Sequence, residues 1–151
     1  MPKPPFNFDT PEQSPGFLLW QITISWQRLI KKALEPHNIS HAQFVILGIV
    51  LWWHKKNKDV TQIDIIGMSK LDKMTVSKSL KKLVGMHLVE RSEHHEDTRA
   101  KTVKLTKSGA TLVKKLVPIV ENIDNVFFGQ LENKEEQSLM MILQKLAAAN
   151  N

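Results

Sequence analysis

Between Thr61 and Gly109 the chain sets out local signals in strict order: two capped short helices, two alternating segments, and a third cap. Thr61 precedes an apolar run with Asp64 at the third helical position and Val60 and Ile65 at staple positions; Asp72 repeats the device with Leu71 and Val76. The spacing predicts one helix from Thr61 to about Lys70 and another from Asp72 to about Met86. Only a tight turn fits between them, which is a helix-turn-helix. Leu88–Ser92 and Lys101–Leu105 then alternate as half-buried strands should, with a charged turn between them, and Thr106 caps the next helix. In the second short helix Val76, Leu80 and Leu83 recur at helical spacing, leaving Lys73, Thr75, Ser77, Lys78, Lys81 and Lys82 on the exposed side.

The flanking segments supply what two short helices lack, a core to lie on. Residues 1–13 carry four prolines and two lone phenylalanines without any period, and are expected to form an extended arm. Ser14 with Pro15 at the first helical position starts a helix through about Glu35, which Pro36-His37-Asn38 ends. Ser40-x-x-Gln43 is a capping box, and the nearly continuous apolar run Phe44–Trp53 implies a helix buried on most sides. Thr106 opens a long helix to about Leu131, kinked or loosened near Pro118, and Asn133-x-x-Glu136 caps a last one. The expected class is mainly α with a small β-hairpin wing, in one domain over residues 1–151.

With 151 residues the chain has the size of a single domain, and no apolar run approaches a membrane span. Together with the absence of a cleavable signal pattern this predicts a cytoplasmic protein. The absence of cysteine excludes disulfides, thiolate metal sites and thiol redox sensing. The formal charge of +6 is unevenly spread: residues 61–107 hold ten basic and six acidic residues, while 108–151 hold four and five. Residues 73–82 contain four lysines and no acid, which suits phosphate contact or a solvated helix face.

The turn Asp97-x-Arg99-Ala100-Lys101, the closing Leu105-Thr106-x-x-Gly109, the preceding helix-turn-helix, the opening Ser14-Pro15-Gly16-Phe17-Leu18-Leu19-Trp20 and the step Ser40-His41-Ala42-Gln43-Phe44 together resemble the MarR family of bacterial transcription regulators. The resemblance covers nearly the whole chain. It implies a homodimeric winged helix-turn-helix regulator that binds a pseudo-palindromic duplex, with residues 14–35 and 108–148 as dimerisation helices and 40–106 as the DNA-binding lobe. The DNA-binding residues it points to are Thr61, Lys73, Met74, Thr75, Ser77, Lys78, Lys81, Arg91, Asp97, Arg99 and Lys101. Lys78 stands where the family commonly has arginine, and a lysine there can meet a guanine edge or a phosphate. Arg99 matches the arginine that the family's wing inserts into the minor groove, and Asp97 the acid that braces it. A small aromatic or anionic effector is implied between the dimer helices and the lobe, with Trp20, Ile24, Phe44, Leu51 and Trp52 as candidate lining. Two departures stand out: His87 replaces a helix-ending glycine, and Lys70 replaces the glycine often found between the two helices.

Other classes find less in the sequence. His37 and His41 are four apart, but a chain break between them removes helical ligand spacing, and adjacent His94 and His95 would be expected to point to opposite faces of a strand or turn. A metal-dependent sensor is thus a lesser alternative, and no metal or other cofactor is expected. There is no nucleophile elbow, phosphate-binding glycine loop, HExxH helix or paired-carboxylate constellation, so an enzyme is not expected. A protein-interaction module on the same scaffold would be favoured by acids on residues 73–82 or by loss of the wing arginine, and neither occurs.

Overall fold

The computed structural model describes residues 5–93 and 101–151. Six helices carry most of the chain: α1 Pro15–Leu34, α2 His41–Lys55, α3 Gln62–Ser69, α4 Lys73–Gly85, α5 Lys107–Phe128 and α6 Asn133–Ala149. Three short strands, β1 Val60–Thr61, β2 Val89–Glu93 and β3 Lys101–Leu105, form one antiparallel sheet in the order β1-β3-β2.

Five of the six expected starts are observed with their hydrogen bonds. The Ser14 hydroxyl accepts from the Phe17 amide, Ser40 from Gln43, Thr61 from Asp64, Asp72 from Thr75 and Thr106 from Gly109. In this way orphan donors of five first turns are satisfied locally. After α1 a short 3-10 turn, Glu35–His37, runs into left-handed Asn38 and reverses the chain into α2.

Four details differ from expectation. The cap of α6 is Glu132, whose amide donates to the Glu135 carboxylate, one residue before the expected Asn133 box. Helix α5 runs through Pro118 and ends at Phe128, three residues short of the expected Leu131. The arm contains a 3-10 turn, Pro11–Gln13, and the sheet gains β1, which pairs Val60 with Val103 and Thr61 with Thr102.

The core collects Ile30 and Leu34 of α1, Ile46, Leu47 and Val50 of α2, Ile65 of α3, Val76, Leu80 and Leu83 of α4, Val89 and Val103 of the sheet, and Val113, Leu116 and Val120 of α5. It lies under the helix-turn-helix. The opposite end of the chain is different: α6 buries no residue, and α1 buries only Ile30 and Leu34. Phe17, Leu19, Trp20 and Ile22 of α1, Val126 of α5, and Met140, Met141, Ile142 and Leu146 of α6 remain exposed. Among the described residues no helix is long and apolar enough to cross a membrane.

Candidate nucleic-acid interface

The interface is built on α4, which is amphipathic in the sense a groove-reading helix must be. Its inner face presents Val76, Ser79, Leu80 and Leu83 to the core, against α2 and α3. Lys73, Met74, Lys78, Lys81 and Lys82 are exposed, while Thr75 and Ser77 are half-buried.

The hydroxyls are partly committed. Thr75 donates through both its amide, 2.8 Å, and its hydroxyl, 2.7 Å, to the Asp72 carboxylate, and these bonds hold that carboxyl below its ordinary range. Thr61 donates its hydroxyl to the Asp64 carboxylate at 2.9 Å, which fixes the start of α3. Ser77 accepts from the Gln62 side-chain amide at 3.3 Å, which ties the first residue of α3 to the exposed edge of α4. Gln62 was not singled out in the sequence, because only the turn between the helices brings it to Ser77, 15 residues later.

The turns carry the two departures from the family pattern. Lys70, between α3 and α4, has φ 61°, and His87, after α4, has φ 59°. Both are therefore left-handed, the conformation for which glycine has no steric cost. The His87 carbonyl accepts from the Thr106 hydroxyl at 2.7 Å, and the Thr106 amide donates to the Leu88 carbonyl at 3.0 Å, so the end of α4 is sewn to the start of α5.

Behind α4 the hairpin rises from Leu88. Arg91 lies half-buried in β2 opposite Val103, and Lys101 is exposed at the start of β3. The Ser92 and Thr102 hydroxyls are 2.8 Å apart, which satisfies the nearly buried Thr102. Asp97 and Arg99 lie outside the described residues.

The five residues expected around an effector lie on two helices, Trp20 and Ile24 on α1 and Phe44, Leu51 and Trp52 on α2. Trp20 is exposed on α1, Ile24 only marginally so, Phe44 and Leu51 are half-buried shell on the core, and Trp52 is half exposed with the Lys56 ammonium 5.0 Å from its ring centre. None of them is in the wall of the cavities between α1, α2 and α4, along α6, between α1, α5 and α6, or beside α5. A cavity of about 460 Å³ lies between the end of α1, the start of α2 and α4, with Lys31, Glu35, Ser40, His41, Gln43 and Lys82 in its wall. Next to it the Trp26 indole donates to Asp124 of α5 at 2.8 Å, and the His41 ring meets Trp26 edge-on at 5.1 Å. Burial pushes the His41 imidazole below its ordinary pKa, against a smaller upward pull from Asp124. The sequence held a signal for Asp124, an acid one helical turn after buried Val120 on the same face of α5. Among the described residues no group of three or more His, Asp or Glu side chains is placed to hold a metal ion.

Residues 35–122, more than half the chain, match the family described as ArnR1-like, winged-helix domain. The uncharacterized HTH-type transcriptional regulator YdcH of Bacillus subtilis is 39% identical over 129 residues, covering 85% of this chain and 88% of that protein. The chain belongs to the MarR family of winged-helix transcription regulators. Another relative, the HTH-type transcriptional repressor NicR of Pseudomonas putida, is 24% identical over 138 residues, with 84% and 85% of the two chains covered. Among solved structures, MepR of Staphylococcus aureus in complex with DNA superposes with a TM-score of 0.81 at 26% identity, over 90% of this chain and 98% of that one. As a MarR-family regulator the protein binds DNA, and the relatives YdcH and NicR are transcription regulators.

Proposed function

We propose that the protein is a homodimeric, effector-responsive repressor that binds a pseudo-palindromic operator, each protomer setting α4 in a major groove and the hairpin along the adjacent backbone or minor groove. One observation carries this reading: the face of α4 turned away from the core holds Lys73, Lys78, Lys81 and Lys82 without a single acid. Lys78, with Ser77 beside it, addresses base edges, while Lys73, Lys81, Lys101 and Arg91 serve phosphates. Thr61 and Thr75 hold the first turns of α3 and α4 in place through their caps. Arg99 and Asp97 complete the wing by family resemblance. The exposed apolar faces of α1 and α6 and the end of α5 are the dimer surface, so that residues 14–35 and 108–148 join the protomers and 40–106 form the reading lobe. The repressor NicR and the DNA-bound MepR support the direction of this reading.

The cavity beside His41 is the seat we assign to a small carboxylate-bearing effector. Its wall includes Lys31 of a dimerisation helix and Lys82 of α4, so an anion held by both would favour one placement of α4 over another. Such a ligand weakens DNA binding by the same factor by which DNA weakens its own.

The test is Lys78→Ala on the site recovered by selection from random duplexes. Base reading predicts a loss of about 1–3 kcal/mol on that site and a smaller loss on random duplex. Equal losses on both would assign Lys78 to phosphate. The companion Arg99→Ala variant should weaken both duplexes evenly and make the salt slope shallower by about one unit per protomer.

A further inference from the structure

One residue on the outer stripe of α4 has a chemistry its neighbours do not share. Val76, Leu80 and Leu83 mark the direction of the core, and at 3.6 residues per turn Met74, Lys78 and Lys81 fall almost diametrically opposite. Met74 is the second residue of the helix and is 73% exposed. It belongs neither to the buried core nor to the partly buried shell packed on it. Most of the other exposed large apolar residues sit on α1, the end of α5 and α6, where subunit contact would cover them; Met74 is in the reading lobe, away from those surfaces. The first turn of such a helix is the part that approaches base edges.

We propose that Met74 is a specificity-determining residue that packs its thioether against the C5-methyl group of a thymine in each operator half-site. This rests on the placement of α4 in the major groove given above. A thioether has no donor and is a poor acceptor, so it can serve neither a phosphate nor the hydrogen-bonding edge of guanine, cytosine or adenine without leaving that edge unsatisfied. The thymine methyl is the one apolar group on the major-groove edge. Methionine adapts its shape to such a contact through three rotatable bonds. Next to it the Gln62–Ser77 hydrogen bond holds a polar pair on the flank of the stripe, so the methyl contact has a polar neighbour and a lysine one turn further on.

The experiment uses the full chain and a duplex recovered by selection from a random library. Each thymine of that duplex is replaced in turn by deoxyuridine, which removes only the methyl group. The expected result is one position per half-site where the replacement weakens binding about fourfold, the worth of one buried methyl. In Met74→Ala the same replacement should have no effect, and base preference at that position should relax. Met74→Leu should keep the sensitivity, and Lys78→Ala should leave the deoxyuridine effect in place. A selection that enriches no sequence refutes the reading of α4 and this inference with it. An enriched site whose thymines all tolerate deoxyuridine refutes the inference alone, as does a deoxyuridine effect that persists undiminished in Met74→Ala. Because Met74 has no place in the core, unchanged melting temperatures will show that these variants fold.

Discussion

Replacing Gly109 by alanine tests the junction on which the reading lobe is built. Gly109 is the third residue of α5, and a Cβ there would overlap the Leu88 carbonyl oxygen, with the Leu88 carbonyl carbon at 2.9 Å and its Cα at 3.2 Å. All three atoms are backbone, so no side chain can rotate away. The carbonyl is also the acceptor of the Thr106 amide. Forcing the two segments apart costs about 1–3 kcal/mol of overpacking, and the strained hydrogen bond about 1 kcal/mol more. Alanine returns up to about 1 kcal/mol of helix propensity. The net loss is about 2 kcal/mol, or about 4–8 °C in melting temperature for a chain of this size. Thermal unfolding followed by circular dichroism, at one fixed protomer concentration because association shifts the midpoint, measures it. Gly67→Ala in α3 is the control, since its Cβ meets nothing within 4 Å and the change should be neutral or stabilising. A Gly109→Ala protein that melts at or above the wild-type temperature would refute the close-approach account.

Lys70→Gly and His87→Gly should each raise stability by about 0.5–1 kcal/mol, the relief of a left-handed backbone less the added freedom of the unfolded chain, as read by urea unfolding; a loss at either site would contradict its φ. His41 stays neutral in the fold below the pH at which the unfolded chain takes up its proton, so the unfolded state binds more protons as pH falls. Stability should therefore drop as pH falls through about 6.5 and level off below the folded pKa, and His41→Gln should flatten that part of the profile. A pH-independent difference between the two proteins from pH 7 to 5 would rule this out. The dimer assignment predicts a light-scattering mass of twice 17.3 kDa at micromolar concentration, and a folded species of single-chain mass would sink it.

The helix starts were legible in the sequence because an N-cap is local chemistry: Ser14, Ser40, Thr61, Asp72 and Thr106 each bond an amide three residues ahead. Strand β1 was not, since two residues have no period of their own and become a strand only by pairing with Val103 and Thr102, more than 40 residues away. The start of α6 was misplaced by one residue because Asn133-x-x-Glu136 and Glu132-x-x-Glu135 are overlapping boxes, and only the folded chain selects between them. Helix α5 absorbs Pro118 within a helix whose inner face is fixed on either side by buried Leu116 and Val120, so packing overrides the local preference. Of the set proposed to face DNA, the lysine face of α4 could be read directly from periodicity. The link from Gln62 to Ser77 and the cavity beside His41 could not, because each joins elements whose approach is decided by tertiary packing.

Strand β3 has a consequence for how this molecule can change shape. Its one edge holds β1, which leads directly into α3, and its other edge holds β2, which follows α4. Both ends of the helix-turn-helix are thus hinged to the same five-residue bar, from which the hairpin also projects. Tilting α4 independently of the hairpin would break ladder hydrogen bonds, whereas carrying the whole lobe, α2 included, about its junctions with α1 and α5 breaks none of them. In the proposed dimer a signal arriving from the terminal helices would therefore have one inexpensive coordinate to act on, the separation and angle of two rigid heads, and the exposed residues of α4 would be free to drift toward new sequences without altering that coordinate.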